Sequence, residues 1–220
     1  MLFKIGVLIY GYFAGALIQA GYWMGKFNKI DIRDYGSGNA GTTNVMRTLG
    51  KKAGIATYLL DAFKAVIADI LIHFLIVPHT AIPEMLLFLY CGLGIVLGHN
   101  FPFYLKFKGG KGIAASSGVV ISLILFPKYC FMFTVFGIFF FALVAKISRY
   151  VSLASLIGMA MFFVEFLIWG FLGWLPLNGT DLVEGTVIVF ALAALAFIRH
   201  RSNIVRLVHG TERKIGEKKN

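Results

Sequence analysis

Three short stretches of this chain carry residue types that could do chemistry: GSGNAGTTNVMR (Gly36–Arg47), GHNFPFYLKFKGGKG (Gly98–Gly112) and RHRSNIVRLVHGTE (Arg199–Glu212). In the first, Gly38 and Gly41 flank Asn39, Ser37, Thr42 and Asn44 add hydroxyls and amides, and Arg47 follows. Glycine lets backbone amides approach an anion closely, and a guanidinium can grip phosphate oxygens in pairs. In the second, His99 leads to Lys106, Lys108 and Lys111, interleaved with Gly109, Gly110 and Gly112. That run opens onto an apolar stretch, so its glycines would cradle an anion at a positive helix start. In the third, His200 and Asn203 would share one helical face, with Arg206 next and Glu212 beyond Gly210. His200 has the intrinsic pKa of an acid or base, or it donates to a phosphate. Glu212 orients a basic residue or balances local charge. The plainer alternatives are a capped loop, a flexible basic loop and a set of polar anchors, in that order.

Other chemistries lack their residues. A Walker loop needs glycine five positions before its Gly-Lys pair and Ser or Thr after it, where Leu105 and Gly112 stand. GxSxG does not occur, nor does the HxxxxD pair of many acyltransferases; His79 has only Glu84 within that reach. Cys91 and Cys130 lie in apolar runs, read as small buried hydrophobes, without metal-ligand or disulfide spacing. No metal and no cofactor are expected.

The surrounding elements are those of a membrane protein. The 220 residues are 59% hydrophobic with only 14% charged, and mean hydropathy is +0.81. Apolar runs predict an all-α, seven-transmembrane-helix bundle with spans near 3–25, 53–77, 84–98, 112–127, 129–146, 150–170 and 182–198. The run Ile5–Met24 lacks a cleavage pattern and reads as a retained first helix. Connections 26–52, 106–111 and 146–149, with the tail 199–220, hold 18 of the 21 Lys and Arg. Lys4 and Lys128 are left for the opposite side, and Lys64 for a span. The positive-inside rule then sets the N-terminus outside and the C-terminus in the cytoplasm. The three segments therefore share the cytoplasmic face and are expected to converge there in one cationic pocket.

The formal charge of +11 is accounted for by topology rather than by nucleic acid. Residues 1–220 read as one membrane domain, with no protein partner evident. Short third, fourth and seventh spans suggest that their polar ends line a cavity. Pairs Gly11/Gly15, Gly21/Gly25 and Gly94/Gly98 suit close internal helix contact. Trp23, Trp169 and Trp174 stand where interfacial anchors belong, and the final KIGEKKN reads as a solvated tail. Asp61 and Lys64, one turn apart inside a span, fit a structural ion pair or a direct role; Asp69 and Glu165 remain unassigned.

At these segments the chain resembles the acyl-phosphate:glycerol-3-phosphate acyltransferases of bacterial phospholipid synthesis. Motif order, spacing, length and span number agree across essentially the whole chain. Ala40 stands where that family often has Pro, Ala65 where Gly commonly follows the span-two Lys, and Ala115 where Thr is frequent. The resemblance implies acyl transfer from a fatty acyl phosphate to the 1-hydroxyl of glycerol 3-phosphate at the bacterial plasma membrane. It implies that Ser37 and Arg47 bind or orient glycerol phosphate, joined by Lys111. Gly109, Gly110 and Gly112 would shape the acyl-phosphate site, and His200, Asn203 and Glu212 would complete binding and catalysis. An acyl phosphate is already activated, so a covalent nucleophile is dispensable. Arg47, Lys111 and Lys108 would offset the repulsion between two anionic substrates. Amides of the Gly109–Gly112 turn, or Ser37, would stabilise the oxyanion. The rival readings are a transporter or channel for an anionic solute, whose short glycine-interrupted spans look alike, and a lipid-binding scaffold.

Overall fold

The structure, a computed structural model, describes residues 1–126 and 129–217. Lys128, expected opposite the motifs, and the last three residues of the basic tail lie outside them. All regular structure among the described residues is helical. Contacts divide the chain into two compact units, Met1–Ser122 and a second beginning at Leu123.

The first unit holds α1 (Leu2–Leu17), α2 (Ala20–Phe27), α3 (Thr42–Leu49), α4 (Lys51–Leu75), α5 (Glu84–Asn100) and α6 (Ile113–Ser122). The span expected near 3–25 is broken: Ile18 and Gln19 leave helical geometry, with ψ of 78° and 79°. The freed carbonyls are met by a buried amide, because Gln19 Nε2 donates to Gly15 O at 3.1 Å. A break at membrane depth is tolerated only when such groups find partners. Helix α5 is the most enclosed span. Its glycines and those of α1 face one another: a methyl on Gly11 or Gly15 would strike the Cys91 or Ile95 carbonyl, and one on Gly94 or Gly98 the backbone of Leu8 or Tyr12. The glycine pairs are thus internal contacts. Gly21 of α2 is equally close to Ala40 O, which seats the first motif loop on that helix.

The second unit holds α7 (Phe131–Ser148), α8 (Val151–Phe171), α9 (Gly179–Arg199) and α10 (Arg201–Val208). Phe133, Phe162, Phe166 and Trp169 form an aromatic core with ring centroids 5.5–6.4 Å apart. Trp169 is therefore buried among rings, its Nε1–H donating to Tyr129 O at 3.3 Å, rather than standing as an interfacial anchor. Cys91 and Cys130 are both buried thiols.

Five helices among the described residues are long and apolar enough to cross a membrane: Leu2–Phe27, Glu84–Leu105, Phe131–Ser148, Val151–Phe171 and Gly179–Arg199. The two remaining expected spans differ for separate reasons. Helix α4 has the length but carries Lys51, Lys52, Asp61, Lys64 and Asp69, while Ile113–Leu125 is apolar but short.

Candidate active site

The first segment is a loop shaped from within. Asp31 Oδ1 accepts from the Arg33 backbone at 3.0 Å, and its carboxylate takes Arg33 Nε and Nη2, the latter at 2.7 Å. Hydrogen bonds from the Arg33 side chain hold the Asp31 carboxyl at about 2 against the opposing effect of burial. Gly38 N–H donates to Tyr35 O at 3.0 Å, and Gly36 and Gly38 adopt positive φ (61° and 69°) to make this turn. Asn44 closes the loop: its Oδ1 accepts from Ser37 N–H at 2.8 Å, and its Nδ2 donates to Ile32 O and Tyr35 O, each at 3.0 Å. Expected at the substrate, Asn44 is turned inward and spends its amide on the loop. Gly41 caps α3 without a side-chain bond, and the enclosed Thr42 Oγ1 at its head has no hydrogen-bond partner.

The second segment folds against the end of α5. Gly110 N–H donates to His99 O at 3.1 Å, and Gly109 N–H to Asn100 O at 3.2 Å. These two amides are therefore committed, which corrects their expected use as oxyanion donors. A methyl on Gly109 would strike His99 O, and one on Gly110 would overlap His99 Nε2. Gly112, with φ of 85°, lies where a methyl would come 2.8 Å from Asn100 Oδ1. Glycine is demanded here by close approach. Lys106 and Phe107 both take left-handed backbone (φ 54° and 58°), the strained corner before Lys108.

These two segments meet. Asn39 Nδ2 reaches Gly109 O at 3.5 Å, and Arg33 Nη1 donates to Leu105 O at 3.2 Å. Tyr22, Arg33, Asp34, Gly38, Tyr104 and Lys108 are among the walls of an open cavity of about 480 Å³ beside the junction. The same unit holds a buried group that motif reading did not connect to the site. Lys64 Nζ donates to Asp61 Oδ1 at 2.8 Å and lies 2.9 Å from Nδ1 of His99, whose side chain is nearly enclosed. Three charged or titratable side chains from α4 and α5 were visible as intramembrane charges and a motif histidine. Their meeting depends on helix register, and no local spacing reports it. His73, not His79, meets Glu84, through Nδ1 and Oε1 at 2.5 Å.

The third segment folds within the second unit. His200 is buried at the end of α9, and its Nδ1 lies 2.8 Å from Ala196 O. A carbonyl only accepts, so Nδ1 carries the proton and the neutral ring has its lone pair on Nε2. Glu212 is saturated: Oε1 accepts from Ser152 at 3.0 Å and Asn203 at 2.7 Å, and Oε2 from Arg206 Nε at 2.7 Å. Burial would raise its pKa, but the bonds from Arg206, Asn203 and Ser152 hold the carboxyl below its ordinary value. Glu212 and Arg206 thus form a clasp that fixes the Asn203 amide. Ser37 lies exposed on the first loop, and Arg47 and Lys111 belong to the first unit's two segments. Among the described residues no cluster of His, Cys, Asp or Glu could hold a metal.

A model of the family described as glycerol-3-phosphate acyltransferase matches residues 5–210. The chain belongs to the glycerol-3-phosphate acyltransferase family. It is 39% identical to a glycerol-3-phosphate acyltransferase of Thermoanaerobacter pseudethanolicus over 99% of this chain and 98% of the relative. A glycerol-3-phosphate acyltransferase of Streptococcus pneumoniae is also 39% identical, over 94% and 91% of the two chains. The crystal structure of PlsY, an integral membrane glycerol 3-phosphate acyltransferase, in its glycerol 3-phosphate form aligns with TM-score 0.80 at 31% identity. That alignment covers 97% of this chain and 96% of the other; the lysophosphatidic acid form aligns with TM-score 0.78. As a glycerol-3-phosphate acyltransferase family member with several apolar spans, this chain is a membrane-bound enzyme.

Proposed function

We propose that this enzyme transfers a fatty acyl group from an acyl phosphate directly to the 1-hydroxyl of glycerol 3-phosphate, yielding lysophosphatidic acid and inorganic phosphate. The observation that carries this reading is the junction of the two glycine-rich segments in the first unit, Asn39 against Gly109. It supplies the cations Arg47, Lys108 and Lys111 and the exposed Ser37 to phosphorylated ligands, with the enclosed Thr42 hydroxyl behind them. In the reaction the alcohol oxygen bonds to the acyl carbon and the bond from that carbon to the phosphate oxygen breaks. Phosphate leaves with the electron pair, so no enzyme nucleophile is required. With the Gly109 and Gly110 amides committed, oxyanion stabilisation falls to the Lys111 and Gly112 amides of the same turn, to Ser37 and to the first N–H groups of α6, which have no acceptor within the helix. The alcohol's proton passes to His200 Nε2 or to a phosphate oxygen of the substrate. Asn203, set by Glu212, completes substrate binding, and alignment of alcohol and carbonyl supplies much of the acceleration.

On this reading α4 and Ile113–Leu125 complete seven spans, with the N-terminus outside and the motif segments at the cytoplasmic face of a bacterial plasma membrane. Purified enzyme given radiolabelled glycerol phosphate with acyl phosphate should form labelled lipid, and with acyl-CoA should not. Product from acyl-CoA alone would overturn the donor. Uptake of label into vesicles without lipid formation would favour a transporter. A labelled acyl-protein competent in a single turnover would overturn direct transfer.

A further inference from the structure

Lys64 sits 3% exposed on α4 with acceptors on every side. Its Nζ is 2.6 Å from Ile18 O, 2.8 Å from Asp61 Oδ1 and 2.9 Å from His99 Nδ1, with Gly15 O at 3.5 Å. An ammonium has three N–H bonds, and three acceptors lie within 3 Å. One of them, Ile18 O, is at the break between α1 and α2. Asp61 supplies the neutralising charge a buried ammonium requires, and its Oδ1 also accepts from Ala20 N–H at 3.4 Å. The network therefore ties both halves of the broken first helix to α4.

The third acceptor extends this tie to the second segment. Asp61 Oδ1 also lies near His99 Nδ1, at 3.5 Å, but the ammonium is nearer at 2.9 Å; since it can only donate, His99 Nδ1 is its acceptor and the ring's proton is on Nε2. That atom faces Gly110 so closely that a methyl on Gly110 would overlap it. The backbone of the same turn is held by Gln19, whose Nε2 donates to His99 O at 3.0 Å, while His99 O also accepts from Gly110 N–H at 3.1 Å. The ring and the carbonyl of His99 thus form the bed on which Gly109 and Gly110 rest.

We propose that Lys64, neutralised by Asp61 and anchored on the broken first helix, is a positioning residue that locks His99 in its Nε2–H tautomer and thereby sets the glycine-rich turn 109–112. Its consequence for activity rests on the reading above that this turn shapes the acyl-phosphate site. Lys64 touches neither substrate; it acts through His99.

The test has two independent readouts. In purified wild-type enzyme with ¹⁵N-labelled histidine, the His99 signal, assigned by its loss in His99→Gln, should report protonated Nε2 and unprotonated Nδ1. A protonated Nδ1 on His99 overturns the proposal whatever the donor proves to be. The second readout uses Asp61→Leu/Lys64→Met, which removes both buried charges together, a change that buried pairs often tolerate. There the His99 signal should become a mixture of tautomers. KM for acyl phosphate should rise by about tenfold while KM for glycerol phosphate stays within about twofold. A folded double variant that keeps the wild-type tautomer and both KM values overturns the proposal. If wild type makes no lipid from acyl phosphate, the donor reading fails while the nitrogen signal still decides the positioning role.

Discussion

His99 in the first unit and His200 in the second are both buried and both held through Nδ1, but by partners of opposite character. The Lys64 ammonium lies 2.9 Å from one ring and the Ala196 carbonyl 2.8 Å from the other. A donor at Nδ1 leaves His99 a proton on Nε2, and an acceptor at Nδ1 leaves neutral His200 a lone pair there. One ring presents a donor within a glycine-rich turn and the other a lone pair at a helix end. Their surroundings differ in the same sense. The first region is shaped by glycines and backbone carbonyls, the second by one carboxylate collecting Ser152, Asn203 and Arg206. Shape should make the first region sensitive to a single methyl, and charge should make the second sensitive to pH.

The largest effect should follow loss of the cations of the first region. Arg47→Ala or Lys111→Ala should each lower kcat/KM by about a thousandfold, since on the proposed reading each removes a charge that offsets the repulsion of two anionic substrates. Lys4→Ala, assigned to the opposite membrane face, should stay close to wild type in the same lipid-formation assay. Equal losses at all three positions would remove the distinction between a cationic site and general membrane topology.

His200→Gln tests the base side of the comparison. If His200 Nε2 takes the alcohol's proton, the variant should lose about a hundredfold in kcat, together with the acidic limb of the pH–rate profile. A retained limb assigns the proton to the substrate phosphate. Gly110→Ala tests the other side. Its methyl would overlap His99 Nε2, so the turn must shift, and a displacement of about 1 Å costs up to about a hundredfold in rate. That loss should be the same at every pH. A pH-dependent loss would mean that the turn acts through charge after all.

The first region also shows where sequence reading stops. Glycine and basic residues in 36–47 and 98–112 marked both segments because their types alone exclude an apolar span. The opposing Gly11/Gly15 and Gly94/Gly98 pairs were legible because small-residue spacing has a helical period. Asn44, by contrast, looked like a ligand group: an exposed and an inward-turned amide have the same letter. The break at Ile18–Gln19 was obscured because one Gln scarcely lowers the hydropathy of a 20-residue run. Its partners, Lys64 and the carbonyls of Gly98 and His99, lie 46 to 80 positions away. Lys64 itself announced a role by being charged in a span, yet its bond to His99 depends on the register of α4 against α5.

Glu212→Gln probes the charge clasp without changing its size. The amide still accepts from Ser152 and Asn203 but turns a second donor toward Arg206 Nε, so stability of the second unit should fall by about 2 kcal/mol. Because the folded carboxyl is held below its ordinary value, its contribution is present above the unfolded pKa and lost as pH falls through the folded one. Thermal stability of wild type should therefore hold down to about pH 5 and decline as pH falls below about 4, while the Gln variant declines less. Parallel curves would remove the electrostatic role assigned to the clasp.

The smallest effect should come from Asp31→Asn, in which a charge pair serves the shape-built region. Asp31 and Arg33 are 2.7 Å apart but remain 20% and 26% exposed, so solvent screens them and their contribution should stay below about 1 kcal/mol. The folded Asp31 carboxyl, at about 2, lies below its unfolded value. Its contribution is therefore complete above the usual carboxylate range and disappears only as pH falls towards about 2. Arg33 also donates to Leu105 O through Nη1, a bond that does not require Asp31 to be charged. The Asn variant should thus keep its activity within about threefold, and its stability deficit should shrink in high salt. A large, salt-independent loss would show that the first loop, like the Glu212 clasp, depends on a carboxylate.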